Sequence, residues 1–474
     1  MKRKNSFKRS AVLASVLTGV IAVSGCDNDD ETAQLRVIHA SPDAPAVNVK
    51  LNSRVRISDL DYARSSGFLE IDSGSQDVAV EAIIPGGNAD VITVPGFEFG
   101  ENGRYTIMAV DNTSVIQALV VDESAAVPAA DEVAIAVLHA SPAATTVDVY
   151  VTGADDSIDS INPTFTFDFK DQVDAGALPA GVYRIRVTAP TTKTVVFDSG
   201  PVDLAGFAGQ KLLISAISTT NSTTQAASPI KLLVATDESA LTLFDTATTT
   251  AARVVHLSPD AGTAAGGPVE VWASSSALPA SPAELIDAFS YTDIVPAADS
   301  YVGVPAGDYV FDVAPNGSGI GGSVYTSPSL SLGQGEEYTV VAAGYVLTSP
   351  AFGLLATGDD NRSIVTQASV KVVHAAPAAG VVDVYVTPAG AFTTEDVANG
   401  LAGDPLLSDF AFGAITEYVA VPPDSYDIWV VAGGAVAIDA NNVQLAAGSV
   451  TTVIAREPID SGLPDDFNVI VLTN

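Results

Sequence analysis

The chain of 474 residues predicts an all-β protein built of four tandem β-sandwich domains. Three observations carry that reading. A histidine recurs in one phrase: Val37-Ile38-His39-Ala40-Ser41-Pro42, Val137-Leu138-His139-Ala140-Ser141-Pro142, Val254-Val255-His256-Leu257-Ser258-Pro259 and Val372-Val373-His374-Ala375-Ala376-Pro377. The histidines stand 100, 117 and 118 residues apart, the commonest size of a single domain. Each interval holds about seven short apolar or alternating segments, cut by Gly and Pro turns and almost free of helical periodicity.

Residues 1–25 read as an export leader. Lys2, Arg3, Lys4, Lys8 and Arg9 make a basic start, and residues 11–23 an apolar run too short to span a bilayer as a mature helix. The run ends at Val23-Ser24-Gly25-Cys26, which resembles the bacterial lipoprotein signal. That resemblance implies a lipid on the Cys26 thiol, with residues 26–32 an acidic, polar tether. Two or more acyl chains would hold the membrane stably, at about 0.8 kcal/mol per buried CH₂. Cys26 is the only cysteine, so stability must come from packed cores, not internal disulfides. The expected location is a bacterial membrane, the outer membrane or cell surface ahead of the inner membrane facing the periplasm.

The formal charge is −35. The leader carries five of the 21 basic residues and none of the 56 acidic ones, so the chain without it stands at −40. Nucleic acid is excluded as a partner, because phosphate contacts need clustered Lys and Arg. Cations are attracted and acidic polymers repelled. Hydrophobic residues at 47% supply enough apolar surface for real cores.

The repeats are expected at residues 33–122, 133–245, 252–362 and 369–474. Each opens on the histidine strand and continues into a Val-polar-Val strand: Val47-Asn48-Val49, Val147-Asp148-Val149, Val269-Glu270-Val271 and Val382-Asp383-Val384. In the third copy residues 262–268 lengthen the turn between them. A Pro-Ala-Gly-x-Tyr turn follows at Tyr183 and Tyr309 and, as Pro-Pro-Asp-Ser-Tyr, at Tyr426; the first copy has Asp72-Ser73-Gly74-Ser75-Gln76 instead. Alternating strands and a closing apolar strand complete each unit. Residues 282–289 and 393–398 are the helix candidates. Short joints predict a rod or gently bent chain of end-to-end sandwiches, about 150 Å long if straight.

Together the phrases Val-x-His-Ala-Ser-Pro, Val-Asp-Val-Tyr-Val and Pro-Ala-Gly-x-Tyr resemble the bacterial "domain of unknown function 4397" family, over roughly residues 33–474. The resemblance implies exported immunoglobulin-like or transthyretin-like sandwiches and carries no catalytic residues.

Strand phase assigns His39, His139, His256 and His374 to structural cores. Residues at −4 and −2 are apolar, while Arg36, Ala136, Arg253 and Lys371 stand at −3. Alternation then puts the imidazoles on the dry face and the basic residues in water. A hydrolase reading of His-x-Ser fails because Ala376 replaces the serine and the polar partner varies. No catalysis is expected. Calcium is the one ion the acidic loops suggest, at Asp155, Asp156 and Asp159 and at Asp359 and Asp360, though without EF-hand spacing. Residues 317–322 count like a phosphate loop but lack the following helix, and read as a hairpin. Tyr150, Trp272 and Tyr385 share one position and are candidate platforms for stacking on a sugar. The expected role is a lipid-anchored envelope protein presenting sandwiches for structural or adhesive contacts with envelope or extracellular polymers or proteins; the alternative is a lipoprotein that binds carbohydrate or a small ligand.

Overall fold

The computed structural model describes residues 31–124, 127–220, 228–458 and 467–473. The expected leader and Cys26 lie outside the described residues. Among those described, no helix is long and apolar enough to cross a membrane.

The chain is all-β, and the described residues form eight sheets of four or five strands, two for each repeat. In the first repeat one sheet runs Arg64–Ser65, Thr32–His39, Arg104–Val110, Gln117–Asp122, with Leu69–Asp72 also on Thr32–His39. The facing sheet runs Arg54–Leu60, Val47–Leu51, Gly74–Ala82, Ala89–Phe99. Leu35, Val37, Val49, Val80, Phe99 and Ile107 close the core between them. The histidine strand lies parallel to Arg104–Val110. A parallel pair needs a long crossover, and here the facing sheet is the crossover. The same parallel pair recurs as Glu132–His139 on Lys211–Ser218, Thr250–Leu257 on Glu337–Ala343 and Ala368–His374 on Val450–Arg456.

Residues 282–289 correct a sequence expectation. They form the strand Ala283–Phe289, not a helix, antiparallel to Val269–Ser274. The misleading signal is the spacing of Ile286 and Phe289, three apart and both buried. A bulge makes that spacing fit a strand: Phe289 pairs with Val269 and Ile286 with Val271, and Ala288 takes φ 53°. One extra residue returns the next side chain to the same face. The device repeats at Ile57 and Leu60 around Asp59 (φ 55°), and at Leu407 and Phe410 around Asp409 (φ 52°). Only the second of these expected helices forms, as Thr394–Ala398, where Thr393 and Asp396 make a reciprocal capping box. The lengthened turn of the third copy contains the short helix Ala261–Ala265, closed by left-handed Gly266.

The histidine strand has no wet face. Ile38, Ala40, Met108 and Val110 of the first repeat pack against Leu138, Ala140, Leu213 and Ile217 of the second. Val255, Leu257 and Val341 of the third meet Val373, Ala375 and Ile454 of the fourth in the same way. The repeats therefore stack sheet on sheet in two pairs, which replaces the expected end-to-end rod. Arg36, Arg253 and Lys371, expected in water, are at most 1% exposed, because the neighbouring repeat covers the face that alternation assigned to solvent.

These buried cations are fully engaged. Arg36 donates from Nε to Thr106 Oγ1 (2.8 Å), from Nη1 to the Thr236 carbonyl of the second repeat (2.6 Å) and from Nη2 to Glu123 Oε1 (2.5 Å). Asp359 holds the equivalent place in the other pair. Its buried carboxylate lies 3.7 Å from Arg253 Nη2 and 3.2 Å from Lys371 Nζ, and accepts from the hydroxyls of Tyr301 (2.9 Å) and Tyr418 (3.2 Å). The two pairs also touch. Arg362 donates to the Ala44 carbonyl at 2.5 Å and pairs with Asp61, while the Val365 amide donates to the Asp43 carbonyl at 3.1 Å. Tyr62 sits at that junction, its hydroxyl donating to the Ser218 carbonyl and its ring facing Arg362 and Lys231.

Removing one member of a buried charge cluster leaves the others desolvated and unpaired. Asp359→Ala is expected to cost about 3–5 kcal/mol, against about 0.5 kcal/mol or less for exposed Asp155→Ala. Urea unfolding of the two variants, followed at the first transition, checks this.

Candidate functional site

The histidine phrase is the feature shared by all four repeats, so the site is built from it. Each histidine stands in register with an alanine of the parallel strand: His39 with Ala109, His139 with Ala216, His256 with Ala342, His374 with Ala455. The small partner leaves room for the ring. The amides of Ser41, Ser258 and Ala376 donate to Nδ1 of His39, His256 and His374, each at 3.3 Å. With Nδ1 accepting, the proton sits on Nε2, which in His39 and His374 donates at 2.9 Å to the carbonyls of Pro45 and Gly380. The ring thus ties down both sides of the Ser-Pro bend. The donor is the backbone amide two residues on, so Ala376 serves as well as serine. His139 is equally buried and meets Phe169 edge-on at 6.1 Å.

Burial pushes all four imidazoles below their ordinary value, His39 and His256 to about 4. They are neutral at pH 7.

The polar residue of the second strand also serves the frame. Asn48 Oδ1 and Asp383 Oδ1 accept the amides of Asp59 and Asp409, the positive-φ residues of the bulges. Asp148 accepts from Thr166 Oγ1 and the Thr191 amide, and Glu270 from Trp272 Nε1 and the Gly317 amide. That last bond fixes one end of the glycine-rich loop at residues 317–322.

Sequence reasoning missed a third tie. The hydroxyls of Tyr183, Tyr309 and Tyr426 return to the carbonyls of Pro179, Pro305 and Pro422, four residues back, at 2.9, 2.7 and 2.8 Å. This is a tyrosine corner. In the first repeat Gln76 stands in for the tyrosine, its amide donating to the carbonyl of Asp72, also four residues back. The signal was present as the constant Pro-x-x-x-Tyr spacing.

The outer faces differ from copy to copy. Tyr150 is buried, so the expected stacking platform is closed there. Lys193 lies over its ring at 4.3 Å, and the loop carrying Asp155, Asp156 and Asp159 folds nearby, with the Asp156 carbonyl accepting from Arg186 at 2.6 Å. Trp272 and Tyr385 are half-buried. Tyr385 pairs across strands with Trp429, which is buried. Asp155, Asp156 and Asp159 are exposed; Asp156 Oδ2 accepts the Gly153 amide and Asp159 Oδ2 the Ser157 hydroxyl. Asp359 is committed to Arg253 and Lys371, while exposed Asp360 caps the Arg362 amide.

A different acidic group forms beside Trp272: carboxylate oxygens of Glu270, Glu284 and Asp287 lie within 4.8 Å of one another. Reading residues 282–289 as a helix hid it, since only the strand brings Glu284 opposite Trp272.

Because folded His39 and His256 stay neutral to about pH 4 while unfolded histidines protonate near 6.5, the unfolded state binds more protons in between. Stability is therefore full above pH 6.5 and falls as pH drops towards 4, by on the order of 3 kcal/mol for each of His39 and His256. Urea midpoints at pH 7, 5.5 and 4.5 read the slope, and His39→Gln should flatten it.

Comparison with curated proteins finds no match. Solved structures that resemble the chain include the Bacillus anthracis TIE protein, at 9% identity and a TM-score of 0.15, over 86% of this chain and 65% of that one. This chain thus spans just under two thirds of the Bacillus protein's length. A "putative cell adhesion protein" from Bacteroides uniformis aligns at 11% identity and a TM-score of 0.17, over 49% of this chain and 99% of that one. The family profile described as "Domain of unknown function (DUF4397)" matches residues 33–150 and 263–385. The matches take in the first and third histidine repeats for the most part and run on into the next; they cover just over half of the chain, which belongs to this family.

Proposed function

We propose that the chain is an exported, lipid-anchored, non-catalytic scaffold that presents paired β-sandwiches to polymers or proteins in or around the cell envelope. One observation carries the reading: most polar groups that recur in the repeats are bound to backbone. The imidazoles of His39, His256 and His374 hold the bend before the proline, the Asn48 and Asp383 side chains hold the bulges, and tyrosine hydroxyls hold the corner. What recurs is frame. What varies is the position two residues after each polar residue: Lys50, Trp272 and Tyr385 are partly open, while Tyr150 is buried. A constant frame with changing outer faces suits contact with large partners, since function resides in the sites a fold displays. The formal charge of −35 directs those faces away from nucleic acid and acidic polymers.

The anchor rests on Val23-Ser24-Gly25-Cys26 and its position after a basic and an apolar segment. In a native host, Cys26→Ser should move the protein from the membrane pellet to the soluble fraction. A variant that still pellets after a high-salt wash overturns the anchor. Protease treatment of intact cells tests presentation: loss of the protein places the repeats outside, and protection confines their partners to the periplasm.

A further inference from the structure

The third repeat encloses a cavity of about 580 Å³ between its two sheets. In the first repeat the corresponding space is closed by one continuous core. In the third the buried residues fall into two clusters, one with Val269, Ile286 and Phe289 and one with Ala273, Tyr309 and Leu332. Val269, Phe289, Tyr309 and Leu332 all face the cavity, so the gap between the clusters is the cavity itself.

Its lining contains no Asp, Glu, Lys or Arg. The helix Ala261–Ala265, an insertion in this copy, adds only small side chains to the wall. Leu285, Val302, Val324, Val346 and Leu347 also line the cavity, yet each is 39% to 63% exposed. The space therefore opens outward through an apolar rim.

We infer that this cavity binds an uncharged, linear aliphatic chain. An apolar cavity of about 150 Å³ stays dry and takes up benzene, and ligand pockets run from roughly 300 to 1,000 Å³. Sheets packed about 10 Å apart leave a slot suited to an extended chain. A carboxylate end would find no cation in the lining and would enter a strongly acidic protein. His256 at the cavity wall is neutral, with its Nδ1 already accepting the Ser258 amide. The chain could belong to a membrane lipid or to a free alcohol or hydrocarbon; the chemistry recognised is the same. The inference is independent of the anchor and of the proposed scaffold role, and either can fail while the other stands.

The test uses the purified full-length Cys26→Ser chain and the neutral fluorophore N-phenyl-1-naphthylamine. Saturable uptake at one site per chain is expected, with displacement by hexadecan-1-ol. Ala265→Phe, which fills the cavity, and Leu347→Asp, which charges its rim, should each weaken uptake at least tenfold. Leu241→Asp, at the rim of the smaller cavity of about 230 Å³ in the second repeat, should leave it unchanged. Phosphatidylcholine vesicles with a pyrene-labelled acyl chain separate the sources: transfer of pyrene to the protein identifies a lipid chain, and displacement by hexadecanol without transfer identifies a free aliphatic. Absence of saturable uptake, or uptake unchanged in both Ala265→Phe and Leu347→Asp, overturns the inference.

Discussion

Burial of the histidine strand on both faces is the constraint from which the rest of the architecture follows. One face completes the repeat's own core, through Leu35 and Val37 in the first copy. The other is covered by the next repeat, through Ile38 and Ala40 against Leu138 and Ala140. A sandwich left alone would show water a sheet of Ile, Leu, Met and Val, an apolar surface of the size that marks an interface. Pairing removes that surface without disulfides, which a chain with one cysteine cannot form internally.

Apolar faces alone would pair in any combination. The buried charges discriminate. Arg36 needs Glu123, in the joint just after its own repeat, and the Thr236 carbonyl from the second. Arg253 and Lys371, from different repeats, share Asp359. The second repeat carries Ala136 and Leu213 where the first has Arg36 and Thr106, so it offers a flat apolar surface to a charged one. Desolvating these ions is costly, and only the complete set of partners offsets it. A mismatched pair would bury a cation with no acceptor. The clusters thus fix which repeats meet and in what register, more than they add to net stability.

Much of the fold was legible. The four histidine phrases set the repeat, and apolar alternation set strand against helix nearly everywhere. Two misreadings have one physical origin each. Residues 282–289 looked helical because a bulge at Ala288 gives a strand a three-residue period, which no single-sequence pattern distinguishes from a helical turn. Arg36, Arg253 and Lys371 looked exposed because alternation says which residues share a face, but not what covers it. The clue was at hand in the unbroken apolar run Val133-Ala134-Ile135-Ala136-Val137-Leu138, which reads as a strand buried on both sides. The tyrosine corner could have been found from spacing. The Glu270, Glu284 and Asp287 group could not, because it depends on a strand pairing.

The contact of Arg362 with Ala44 and Asp61 spans 318 and 301 residues of sequence. A chain that leaves the ribosome from its N-terminus presents the first pair long before residue 362 arrives. Through that interval Asp61 lacks its cation and the Tyr62 junction has an open side. The N-terminal half therefore travels as an unfinished body, and the segment joining the third and fourth repeats acts as a late clasp. Synthesis of this protein is thus an ordered assembly, in which the last quarter of the polypeptide completes a surface laid down by the first.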